Sequence, residues 1–139
     1  MSIPAMQPEE AFREAVAETE HRRFPNAVRF YAQAAQDFEA RGDVHAAWDA
    51  GLLAWQLMNE VPSISNELNF SFVNELFSRF MRCAGLLESE AATAGDPTRA
   101  EMFRFTAVRA HEMQQKVRYF LSAREDLGGS NFDGPGLGR

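Results

Sequence analysis

The sequence predicts an all-α protein of about five helices arranged in antiparallel hairpins, either tetratricopeptide-like or a helical bundle, with a flexible C-terminal tail. Three observations carry this. Alanine and glutamate are plentiful, and both favour helix. Prolines stand only at segment edges. No run of valine, isoleucine and threonine alternates with the period of two that a half-buried strand requires.

Pro8 suits the first turn of a helix, and Glu9 and Glu10 favour the positive end of its dipole. Phe12, Ala15, Val16 and Thr19 then follow at helical spacing to about residue 23. Pro25 is expected to end this helix and begin the next, because the residue before a proline is pushed out of the α region. The second helix is expected over 26–41. Ala27, Val28, Tyr31, Ala34, Ala35 and Phe38 form its buried face, while Arg29, Gln33 and Gln36 point away. Gly42 fits the left-handed position that stops a helix, and Asp43 then caps a third helix over 44–60. That third helix has one apolar stripe through Val44, Ala47, Trp48, Gly51, Ala54, Trp55 and Met58. A second runs through Ala46, Ala50, Leu53 and Leu57. A helix apolar on nearly every side belongs between neighbours, so this one is central.

The connection over 61–66 contains Pro62 as a breaker and Ser65 or Asn66 as the expected cap. A fourth helix over 67–93 follows, with a broad aromatic arc (Phe70, Phe72, Phe77, Phe80) and polar last turns expected to overhang the core. Gly95-Asp96-Pro97 then supplies a stop, a cap and a first-turn proline in succession. The fifth helix, over 97–125, buries Met102, Phe103, Thr106, Ala107, Ala110, Met113, Val117, Phe120 and Leu121. One globular domain therefore spans 1–127, and the glycine-rich stretch 128–139 is expected to be a mobile tail.

The hairpin 28–61 resembles a single tetratricopeptide repeat, a unit of roughly 34 residues. Tyr31, the pair Ala34 and Ala35, Phe38, Gly42-Asp43, and Ala47 with Ala54 occupy that family's aromatic, small and turn positions. Gly51 stands where the family prefers a bulky residue, Pro62 comes slightly late, and no second copy lies one repeat length away. The resemblance implies tetratricopeptide-like hairpin packing, with peptides received on the face carrying Arg29, Ala32, Gln33 and Gln36. The Lys/Asn cluster by which some members hold a terminal carboxylate is missing here.

Function is constrained mainly by exclusion. A net charge of -6 argues against a nucleic-acid binder. The longest apolar run, GLLAWQLM, is far short of the ~20 residues that cross a bilayer. The N-terminus has no basic or apolar region of a signal peptide, and the lone Cys83 asks for no oxidising compartment. The default is cytoplasmic.

Glu18 and His21 have the Glu-x-x-His spacing of a metal ligand pair, yet His45 and His111 have no glutamate three residues before them. Chance in a glutamate-rich helix explains the pair better. Cys83 beside Arg82 reads either as an activated thiolate or as a small packed side chain, and the second is the commoner case. Trp48 and Trp55, two turns apart, read as core rather than as a ligand pocket against the fourth helix. Gly128-Gly129 and Gly134-Pro135-Gly136 lack the lysine and hydroxyl residue of a phosphate loop.

The remaining feature is on the fifth helix. Phe105, Val108 and Tyr119 fall opposite its core stripe, with Arg104, Arg109 and Lys116 around them. Aromatics ringed by arginine are the composition of an interface hot spot. The expected function is a non-enzymatic interaction module (adaptor, chaperone or assembly subunit) with no cofactor, whose partner is another protein or a second copy. A helical metal- or ligand-using enzyme, and a dedicated subunit or inhibitor of one complex, are the alternatives.

Overall fold

The computed structural model of the chain describes residues 6–130, with side chains except at 65, 66, 70 and 120–130. Five helices follow one another: α1 (Pro8–Glu20), α2 (Phe24–Ala40), α3 (Val44–Glu60), α4 (Phe70–Thr93) and α5 (Pro97–Ser130). There is no strand among the described residues. Each helix packs chiefly on the next in the chain, and α2 also touches the edge of α4.

Three of the four connections are the same turn. A left-handed residue (Arg22, Gly42 or Gly95) closes the helix, and the next N–H reaches back five residues. Arg23 N–H donates to the Glu18 carbonyl at 2.8 Å, Asp43 to Phe38 at 2.9 Å, and Asp96 to Ala91 at 2.9 Å. These bonds satisfy carbonyls that a helix end leaves bare. At Gly42 and Gly95 glycine takes the positive φ without penalty. At Arg22 (φ 61) an ordinary side chain does so. The break between α1 and α2 is therefore at Arg22, ahead of the expected site, and Pro25 lies inside the first turn of α2.

The fourth connection is different. Pro62–Glu67 winds into a 3₁₀ turn, which delays α4 by about one turn. Its cap is Asn69, not Ser65 or Asn66: Phe72 N–H donates to Asn69 Oδ1 at 2.8 Å. Asp43 and Asp96 cap as expected, accepting from Ala46 N–H at 3.2 Å and Arg99 N–H at 3.1 Å.

The six residues expected to form the buried face of α2 are buried, and no others on that helix are. Phe12 meets Tyr31 edge-on at 5.3 Å between α1 and α2. On the other side of α3, Trp48 stacks on Phe80 of α4 at 4.5 Å and meets Phe103 of α5 edge-on at 5.1 Å. Trp55 meets Phe80 at 5.5 Å and Phe77 at 6.5 Å. Both tryptophans thus belong to the core, and α3 is central as its two stripes require. Gly51 makes the Trp48–Phe80 stack fit, because a Cβ there would stand 2.9 Å from Phe80 Cδ1.

The last turns of α4 do not overhang. Ala91 is buried, and Glu88 accepts from Arg104 Nε of α5 at 2.9 Å. It is α5 that outlasts its partner, with 34 residues against 24. Gly128, Gly129 and Ser130 of the expected tail belong to this helix, and the rest of it, 131–139, lies outside the described residues. No helix among the described residues is long and apolar enough to cross a membrane.

Candidate interaction surface

The inner side of α5 follows alternating steps of three and four residues: Ala100, Phe103, Ala107, Ala110, Gln114 and Val117 are buried or half-buried. That spacing keeps one seam in register with a neighbouring helix. Gln114 is the buried polar member, and sequence reading passed over it. Its Nε2 lies 2.9 Å from Asn74 Oδ1, 3.3 Å from the Asn74 carbonyl and 3.3 Å from Ser78 Oγ, within donating range of all three. A satisfied amide in an otherwise apolar seam fixes the register of α5 on α4.

The outer side of α5 carries the expected patch. Phe105 is 60% exposed, Val108 51% and Tyr119 78%. Met102, expected in the core, joins them at 47%. It flanks the inner seam rather than lying on it, since Phe103 takes the place against Trp48. Arg109 lies over the Phe105 ring at 5.7 Å, a cation–π contact. Arg104 is drawn sideways into its pair with Glu88. Lys116 is exposed on the outer side. Of the three cations expected around the aromatics, Arg109 and Lys116 border them and Arg104 serves the α4–α5 contact.

The α2 face expected from the repeat resemblance is a separate place. Arg29 donates to the Glu67 carbonyl at 3.0 Å and to Asn26 Oδ1 at 3.3 Å, which fastens the 3₁₀ turn to α2. Gln33 donates to Asp37 at 2.9 Å, and Gln36 is exposed. A further cluster joins α2 to α4. Glu39 accepts from Arg82 Nε at 2.8 Å and Nη2 at 3.0 Å, and from Arg79 Nε at 3.2 Å. The hydrogen bond from Arg82 holds the Glu39 carboxyl below the ordinary carboxylate range.

Of the chemistry-bearing candidates, Glu18 is paired and Cys83 is buried. Glu18 is held by Arg23 (2.6 and 3.0 Å) and Asn26 (3.3 Å), and its pKa is lowered chiefly by Arg23. His21 lies at the end of α1. No group of three or more potential metal ligands occurs among the described residues. Cys83 is buried, and burial pushes its thiol up to about 11. The space between Trp48 and α4, where a ligand pocket was the alternative, is filled by the Phe80 ring. No protein-family model matches the chain, and neither does any curated protein or solved structure.

Proposed function

We propose that the chain is a non-enzymatic protein–protein interaction module of the adaptor or assembly-subunit kind, and that it docks through the outer side of α5. One observation carries the reading: four large apolar side chains, Met102, Phe105, Val108 and Tyr119, stand about half or more exposed on one helix, with Arg109 laid over Phe105. Aromatic and arginine side chains supply most of the binding energy at protein interfaces, and here Arg109 and Phe105 are already in contact with each other before any partner arrives.

In this reading the hairpin α2–α3 is scaffold, packed in tetratricopeptide-like fashion. Tyr31, Ala34, Ala35, Phe38, Ala47 and Ala54 are all buried, which supports that packing. A cytoplasmic setting goes with it, since the lone cysteine is a buried free thiol.

The test is the double variant Phe105→Ala, Tyr119→Ala. It should abolish self-association or partner capture by the purified chain, while the thermal midpoint stays within what surface substitutions cause, about 0.5 kcal/mol. Loss of the fold in the double variant, or association unchanged by it, would remove the proposal.

A further inference from the structure

We infer that the occupant of this surface is a second copy of the chain, joined through an antiparallel α5–α5 contact about a two-fold axis. This rests on the reading of α5 as the docking element and names its partner. Met102, Phe105, Arg109, Glu112, Lys116 and Tyr119 follow one another in steps of three, four, three, four and three. All six are exposed, so α5 carries a second seam of the spacing that holds helix on helix, opposite the one that α4 uses.

The step pattern reads the same in both directions. A copy of α5 laid antiparallel on this seam therefore places each of the six residues opposite another of the six. Met102 faces Tyr119 of the second copy, Phe105 faces Lys116, and Arg109 faces Glu112. Each pair occurs twice because the interface is isologous.

The chemistry of those pairs agrees with the geometry. Opposite charges meet at the centre, a cation meets an aromatic ring on either side, and an apolar pair closes each end. Glu112 and Lys116 form no hydrogen bond or ion pair among the described residues, so neither gives up an internal partner to make these contacts. The seam holds one glutamate against one arginine and one lysine, and Arg104 is neutralised by Glu88 away from it. A second copy consequently meets no block of like charge, although the chain as a whole is acidic.

The experiment uses the full chain in sedimentation velocity over low-micromolar to several-hundred-micromolar concentration, with circular dichroism to confirm folding. Wild type should show a monomer–dimer equilibrium. Arg109→Glu alone sets glutamate against glutamate twice, and Glu112→Arg alone sets arginine against arginine twice. Each should weaken the dimer roughly ten- to thirty-fold, from two attractive pairs lost and two repulsive ones gained. Mixed in equal amounts, the two variants should dimerise with each other at near wild-type strength, since every central pair is then of opposite sign.

Single variants that dimerise like wild type, or that fail to combine, would overturn the antiparallel register. A wild type that stays monomeric throughout would overturn the second copy as partner. In that case, capture of another protein lost in Phe105→Ala, Tyr119→Ala would leave the docking reading intact, and capture unaffected would remove both.

Discussion

Gly51 and Gly85 both lie inside helices, and replacing each with alanine should have opposite effects. Alanine is favoured over glycine in a helix interior by about 1 kcal/mol, whichever helix it is in. At Gly85 of α4, a Cβ would meet nothing within 4 Å, so Gly85→Ala should stabilise by roughly that amount. At Gly51 the same Cβ would stand 2.9 Å from Phe80 Cδ1, with Cε1 and Cγ at 3.7 Å. The ring has no free direction in which to retreat: it stacks on Trp48 at 4.5 Å, meets Trp55 at 5.5 Å, and is 3% exposed. Overpacking of this kind costs about 1–3 kcal/mol. Set against the helix gain, Gly51→Ala should lose about 1 kcal/mol net, a fall of roughly 3–5 °C in midpoint for a domain of this size. Thermal and urea unfolding followed by circular dichroism read both variants. A third measurement isolates the cause: in a Phe80→Leu background the cost of Gly51→Ala should shrink, giving a coupling energy between the two sites. Gly51→Ala melting at or above wild type, alongside Gly85→Ala, would refute the claim that Gly51 exists to admit the Phe80 ring.

Glu39→Gln should destabilise by about 1–2 kcal/mol at neutral pH, because charge-assisted bonds to Arg82 and Arg79 become weaker ones between α2 and α4. The Glu39 carboxyl has a folded pKa below the ordinary 4.5, so its contribution is fully present above about pH 5 and is lost as pH falls through the lowered value. Urea midpoints measured from pH 6 to pH 3 should therefore fall less steeply in Glu39→Gln than in wild type, and parallel curves would show that this carboxylate is not a source of acid lability. Cys83, buried with its thiol near 11, should react with an aromatic disulfide reagent at pH 7.5 only as fast as the domain opens, and promptly in denaturant. Prompt native-state reaction would place the thiol at an accessible surface.

Where a single residue type carried the local physics, the sequence was readable. Gly42 before Asp43 and Gly95 before Asp96 mark two turns because glycine is the residue that enters the left-handed region freely. The third identical turn was hidden, because Arg22 takes that conformation at a cost in strain and nothing about arginine announces it. The cap of α4 was misplaced for a related reason. Ser65, Asn66 and Asn69 are equally good caps in isolation, and only the 3₁₀ turn over Pro62–Glu67 decides among them. On α5 the separation of inner and outer sides was legible from spacing, but its edges were not. Met102 looked apolar enough for the core, and Gln114 looked too polar for it. Which of them is inside depends on Trp48 reaching Phe103 and on Asn74 and Ser78 reaching Gln114, contacts between distant segments that periodicity does not encode.

The proposal puts recognition on α5 rather than on the hairpin that resembles a peptide-binding repeat, and the bonds already made on each helix support that choice. On α2 three of the outward polar groups already hold something: Arg29 fastens the 3₁₀ turn, Gln33 holds Asp37, and Glu39 clamps two arginines of α4. A partner docking there would desolvate pairs already made, or break them, and would have to replace what they contribute. On the outer side of α5 the balance is reversed. Phe105, Val108 and Tyr119 gain by leaving water, at about 25 cal/mol per Å² of apolar surface covered. Glu112 and Lys116 bring charges with no bond to surrender among the described residues. Arg109 has a contact to keep, and a cation held over Phe105 at 5.7 Å can donate to a carboxylate from outside without leaving the ring. Docking on α2 would exchange one set of contacts for another, whereas docking on the outer side of α5 keeps the Arg109–Phe105 contact and adds new ones to it.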